Sequence, residues 1–297
     1  MRVMENPTAN CSPNTAAYTD PRLAARELLK TLAPLELRNK NADFLNRLMA
    51  AIRTHAFMHN RALAPMRAGT LSCAALLDLH RDFKHAGVEV FTDVILMAQF
   101  QTRVLTPRFG LPGKMAARFL LALNVFDEFG FIPPTHAASG YQGHPLLSHP
   151  TLFDAVIAQL DSDTTDTAAS STEFSPSPAA TALRASFEAT YDDLLATLAA
   201  ILVAEEVAMH YSPAMRAAVR PLGLDVERGY YMVHGRSTDS DKSACDDFHQ
   251  QDAWHILALA LEADDYLRFE QLCMGFCQDW EAFWAEHARR WGASYGV

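Results

Sequence analysis

The sequence has almost nothing that builds a sheet. No alternating β-branched run bounded by turn residues appears in its 297 residues, and neither Asn-Gly nor Asp-Gly occurs to close a tight hairpin. Cysteine is sparse and odd in number, with Cys11, Cys73, Cys245, Cys273 and Cys277 too few for a disulfide framework. Lys and Arg neither dominate nor cluster: 25 stand against 35 Asp and Glu, a formal charge of −10, which argues against a general affinity for nucleic acid or anionic membranes. The longest apolar runs, such as LLATLAAILVA, are cut by charge before the roughly 20 residues of a bilayer span. The N-terminal MRVMENPTAN has no apolar stretch like that of a signal peptide. The expectation is a cytoplasmic protein whose partner is a small molecule, or another protein, and neither nucleic acid nor membrane.

What is present is helical. With 49% hydrophobic residues the chain can bury a sizeable core. Residues 1–20, rich in Asn, Pro, Thr and Ser, predict a flexible tail, and 21–297 a single all-α domain. Asp20-Pro21 opens the first helix, with Pro at a first-turn position. Further helices are predicted over 42–59, over 72–105 without a break, over KMAARFLLALNVFDEFG, over HPTLFDAVIAQL, and over 181–211. The stretch DSDTTDTAASSTEFSPSPA (161–179) reads as a solvated polar loop. Seven to ten helices of this kind predict one bundle whose halves pack across that loop.

The unusual feature is the placing of carboxylates and imidazoles inside apolar helices, where they are costly unless paired or metal-bound. CDDFHQQDAWH (Cys245 to His255) packs Asp246, Asp247, His249, Asp252 and His255 into eleven residues. Glu89 and Asp93 lie one turn apart in GVEVFTDVILMAQF, Asp127-Glu128 closes LLALNVFDEFG, His149 opens HPTLF, Glu205-Glu206 interrupts AILVAEEVAMHYS, and His234 ends GYYMVH. Oxygen and nitrogen donors from several helices are what a carboxylate-bridged metal pair needs, and a supply rich in carboxylate and poor in thiolate favours iron over zinc. Manganese has the same donor preference. Asp246 and His249, three residues apart on a helix, can reach one ion. The plainer reading is solvated acids, an ion-paired Asp127, and histidines at His85, His136, His144, His210 and His255 in loops or satisfied core positions. Cys273 and Cys277 share a helix face and read as two small buried hydrophobes rather than a zinc or redox pair.

NVFDEFG followed by HPTLF, then AEEVAMHYS, GYYMVHG and DDFHQQDAWH, resemble the heme-oxygenase-like diiron oxidases and oxygenases, CADD-like proteins among them, over about residues 75 to 260. The resemblance implies a heme-oxygenase-like bundle of about seven core helices. It also implies two iron ions, Fe(II)/Fe(III), and dioxygen as co-substrate, acting on a small amino-acid-, amine- or fatty-acid-like molecule by desaturation, oxidative C–C cleavage or N-oxygenation. By position it implies metal ligands at Glu128, His149, Glu205, His234, Asp246 and His249, with Glu89, or Asp93 close behind, as the first-helix acid. Glu128, Glu205 and His249 are the expected catalytic residues.

The chain departs from the family pattern in two places. GRSTDSDKSAC separates His234 from Asp246, which leaves His249, Asp252 and His255 as an alternative set, and the long interval from Glu128 to His149 leaves His144 as a substitute. Both insertions are candidate lids. Tyr230, Tyr231, Arg103 and Arg118 are candidates for a substrate carboxylate or for electron transfer from an external donor. The apolar C-terminal helix with Trp280, Trp284 and Trp291 leaves room for a homodimer or for completion of the core. Two other readings remain: a metal-independent, thiaminase-like or PQQ-synthesis-like enzyme with Cys245 as nucleophile, and a non-catalytic protein-interaction module.

Overall fold

Helix-forming segments fill the computed structural model, which describes residues 20–132, 142–164, 174–234 and 245–295; side chains at 163–164, 245–247 and 293–295 are outside that description. The helices are α1 (Pro21–Leu32), α2 (Leu35–Thr54), α3 (Leu63–Ala68), α4 (Cys73–Phe83), α5 (Glu89–Gln101), α6 (Thr106–Glu128), α7 (His149–Thr164), α8 (Pro178–Glu188), α9 (Leu194–Val219), α10 (Tyr230–Val233), α11 (Cys245–Ala260) and α12 (Tyr266–Tyr295). The described sheet is one antiparallel pair, Phe131 opposite Gly143 and Ile132 opposite Gln142. All-α is therefore the class, and the buried apolar side chains of α1 through α12 form one continuous core. Residues 1–19 of the expected tail, 133–141 of the first candidate lid and 235–244 of the second fall outside the described residues.

Several predicted boundaries differ: α6 starts at Thr106, ahead of Lys114, and kinks at Gly110, α7 runs four residues into the 161–179 stretch, and three others differ for a local reason. The second helix starts at Leu35 rather than Ala42, because its amphipathic pattern already runs through the polar LRNKN stretch. The stretch 72–105 is not one α-helix: Lys84–Val88 form a π-helical turn between α4 and α5, and Thr102–Leu105 tighten into a 3-10 turn. The stretch 181–211 is two helices. The Asp193 side chain accepts the Ala196 N–H at 2.9 Å and so starts α9 afresh, and α9 then runs through Pro213 to Val219.

The apolar centre is α9, which packs against α3, α5, α11 and α12. Leu194–Leu222 is long and apolar enough to cross a membrane by length and composition, and its apolar window is 72% buried inside the bundle. Such burial is expected of a core helix. Trp280, Trp284 and Trp291 are buried as well, Trp284 stacked on Tyr211 at 3.8 Å, so the C-terminal tryptophans complete the core. Cys273 and Cys277 are buried beside them as free thiols, Cys277 pushed up by burial to about 12.

Two features of the backbone position the polar groups. Asp20 caps α1 by accepting from the backbone of Arg22 and Leu23, which aims Arg22 and Arg26, one turn apart, at α6 and α11. Gly130, at φ 76°, lies just past α6, where a Cβ would come within 2.4 Å of the Leu147 carbonyl carbon. Only glycine allows both that φ and that approach. The close contact seats the 144–149 segment on the end of α6, so His149 arrives beside Glu128 despite the long interval between them in sequence.

Candidate metal centre

Four helix ends and the middle of α9 converge here. Glu128 closes α6, His149 opens α7, and His234 follows α10; one ligand atom from each lies within 4.8 Å of the other two. All three residues are buried. His149 Nδ1 ion-pairs with Glu128 Oε2 at 3.0 Å, while Glu128 Oε1 is buried without a hydrogen-bond partner. Buried polar atoms are rarely left so. A shared cation would satisfy them, and two imidazoles with one carboxylate are a known donor set for non-heme iron. The His149 and His234 rings meet edge to face at 4.4 Å, with Tyr230 4.4 Å from His234, so aromatic packing holds the imidazoles in place.

A second group adjoins the first. His249 Nδ1 lies 2.9 Å from Glu205 Oε1 and 3.8 Å from Glu128 Oε1, while Nε2 lies 3.3 Å from Asp127 Oδ2. His249 and Glu205 are buried, and Glu128 stands between the two groups. Behind them, Arg22 pairs with both Asp127 and the fully buried Asp252, and Arg26 holds Asp252 at 2.6 Å.

The electrostatics follow from this crowding. Burial opposes the charge on Glu128, but His149, then His234 and His249, outweigh it and hold the carboxyl down at about 2. Burial likewise opposes the charge on His249, and Glu205, Asp127 and Glu128 overcome it, pushing its pKa well above the ordinary value. Burial raises Asp252 against the pull of Arg22 and Arg26. The centre is thus carboxylate-rich and draws positive charge.

Five of the seven expected ligands are brought together: Glu128, His149, Glu205, His234 and His249. Glu89 is not. Its half-exposed carboxylate pairs with Arg184 at 2.9 Å and Lys84 at 3.5 Å, and Asp93 is exposed on the same helix. The part of this region that faces the centre is instead Gly87 and Val88 of the π turn, with Phe91 one helical turn on. The Asp246 and Cys245 side chains lie outside the described residues. His144 is exposed and accepts the Leu146 N–H at 3.1 Å, so it caps a turn rather than substituting for His149. The alternative set built on Asp252 and His255 does not form, since Asp252 is taken by the two arginines and His255 lines a separate hollow with Lys30 and Arg38.

The supposed substrate contacts are also elsewhere, Tyr230 excepted. The Arg103 guanidinium lies over the Phe100 ring at 4.5 Å, Arg118 donates to the Gln99 carbonyl at 3.1 Å, and the Tyr231 hydroxyl donates to His80 Nε2 at 2.5 Å. A cavity of about 50 Å³ opens beside Glu128, His149, Glu205 and His234, and Phe83, Phe91, Phe187, Tyr230 and Trp280 line the rest of it. No Lys or Arg lines it among the described residues. The sequence reading missed Arg22 and Arg26, and it named Trp280 as a core or dimer residue without placing it at the cavity. The first two carry a signal in hindsight, a pair of arginines one turn apart behind a strong N-cap, but nothing local says what they face.

The sequence matches no protein-family model and no curated protein.

Proposed function

We propose that the chain is a non-heme iron enzyme that uses dioxygen, an oxidase or oxygenase of the heme-oxygenase-like diiron kind, acting on a small, largely apolar molecule. One observation carries this reading: Glu128, His149 and His234 converge in the core, with Glu205 and His249 in contact behind them. In it Glu128, His149 and His234 hold one ion, and Glu128, Glu205 and His249 offer donors for a second. Reduced iron held by these residues would supply the electrons needed to activate dioxygen. The chain's part is to keep the donors fixed, to exclude water with Phe83, Phe91, Phe187 and Trp280, and to seat the substrate's reacting carbon beside the ligands. Since no cation lines the cavity among the described residues, the buried part of an amine- or fatty-acid-like substrate is its hydrocarbon.

A single-ion version has its own support, because Glu89 and Asp93 stay at the surface and the best-formed donor set has three members. The test for both is anaerobic reconstitution with Fe(II), counting bound iron, then exposure to oxygen while following visible absorption and oxygen uptake. Two equivalents of iron support the diiron form and one the single-ion form. No iron above background, or uptake unaffected by Glu128→Ala, rejects the proposal.

A further inference from the structure

Every imidazole that binds a metal through one nitrogen must dispose of the other, and here that second partner is itself held from a distant helix. His249 Nδ1 faces Glu205 at 2.9 Å and Glu128 at 3.8 Å, while Nε2 faces Asp127 Oδ2 at 3.3 Å. A carboxylate only accepts, so His249 donates from both nitrogens here, from Nδ1 to Glu205 and from Nε2 to Asp127, and Asp127 keeps the hydrogen on Nε2 when a cation takes the place of the Nδ1 proton. That leaves Nδ1, once its own proton is displaced, with its lone pair turned to Glu128 and Glu205. Asp127 does not stand alone: Arg22 Nη2 donates to that same Oδ2 atom, while Arg22 Nη1 donates to Asp252 and to Asn124 Oδ1, the latter at 2.9 Å. Arg26 fixes the far side of Asp252 through Nε at 2.8 Å and donates to the Phe248 carbonyl at 3.2 Å. The planar fork of Arg22 joins α1, α6 and α11 at this point, and a compact ammonium lacks the paired N–H groups of that fork.

We infer that Arg22 is a positioning residue for a second metal ion: acting through Asp127, it fixes the tautomer and orientation of His249 so that the Glu128, Glu205 and His249 set can bind, while the Glu128, His149 and His234 set does not depend on it. The inference rests on the metal reading above and extends it, because it assigns the N-terminal helix a role in how many ions the centre holds. The side-chain partners of Arg22, namely Asn124 and Asp127 on α6 and Asp252 on α11, lie on the His249 side of the centre.

The experiment is an anaerobic titration of the full chain with Co(II), an oxygen-inert probe of iron sites, read by visible absorption and by calorimetric stoichiometry. Arg22→Lys keeps a charge between the aspartates, and with it the fold, but loses the fork. Asp127→Asn turns its amide nitrogen toward Nε2 once Arg22 claims the oxygen, which favours the wrong tautomer. Wild type is expected to take two ions. Both variants should take one with unchanged affinity and bind the second at least tenfold more weakly, with its absorption band lost. Two ions bound equally well by wild type and variants, or loss of both ions from a variant that melts like wild type, overturns the role of Arg22 and leaves the metal reading intact. One ion in wild type overturns the inference while keeping the Glu128, His149 and His234 site, and none overturns both.

Discussion

His80 is a buried histidine with a complete set of partners and no place in the candidate metal centre. Its Nδ1–H donates to the Leu76 carbonyl at 2.6 Å, and Nε2 accepts the Tyr231 hydroxyl at 2.5 Å, which fixes the neutral tautomer. Burial pushes its pKa down from 6.5 to about 4, with the Leu76 bond offsetting this only in part. Between those values the unfolded chain takes up a proton that the folded chain refuses, so stability falls as pH drops through this window, by about 3 kcal/mol in all for a fully buried group. His80→Phe removes that contribution. Urea titrations from pH 7 to pH 4.5 should show the variant less stable at pH 7, because Tyr231 loses its acceptor, yet with a shallower decline toward acid. An unchanged slope would mean that His80 is protonated in the fold.

The same scale shows what the sequence could and could not disclose about the centre. Glu128, His149, Glu205, His234 and His249 stand out as acids and imidazoles in apolar surroundings, and they are the residues that meet. Glu89 has similar neighbours in the sequence but a different fate, because Lys84 and, from α8, Arg184 draw it outward. Periodicity sorts buried from exposed faces only coarsely in a helix as apolar as α5, and the arginine that decides the matter is 95 residues away in the chain.

At the scale of the element, helices were legible and their interruptions were not. A π turn and a 3-10 turn carry no strong composition signal, since both keep helical propensity and alter only which carbonyl each N–H meets. The π turn nevertheless puts Gly87 and Val88 on the cavity wall. Gly130 shows the converse, one residue whose need is absolute. At φ 76° with a would-be Cβ 2.4 Å from Leu147, an alanine must both strain the backbone and push the 144–149 segment off α6. Gly130→Ala is expected to cost roughly 2 kcal/mol or more. Because His149 rides on that segment, it should also weaken Co(II) binding more than an equally destabilising core change such as Leu198→Ala. Equal effects of the two variants on binding would show that His149 is placed by α7 and not by this contact.

Across the whole molecule, a carboxylate-rich centre sits at the heart of an otherwise apolar bundle, and a cation bound there is bound by the folded state alone. α6, α7, α9 and α11 and the residue after α10 each bring a candidate donor, so unfolding scatters the site and any affinity for metal becomes stability. At a metal concentration of about 100 times Kd the gain is about 2.7 kcal/mol, which for a chain of this size raises Tm on the order of 5 °C. Calorimetric melts with Fe(II), Mn(II) and Co(II) under nitrogen should therefore rise with metal concentration, and Mg(II), which keeps its waters and favours oxygen donors alone, should do much less. Glu128→Gln should abolish the rise, because Glu128 is the donor common to both groups, whereas Glu206→Gln should keep it. Glu206 is equally buried and adjacent to Glu205, but Arg53 at 3.1 Å and Gln250 at 2.9 Å occupy it away from the centre. A rise in Tm that survives Glu128→Gln would place the bound metal elsewhere in the molecule.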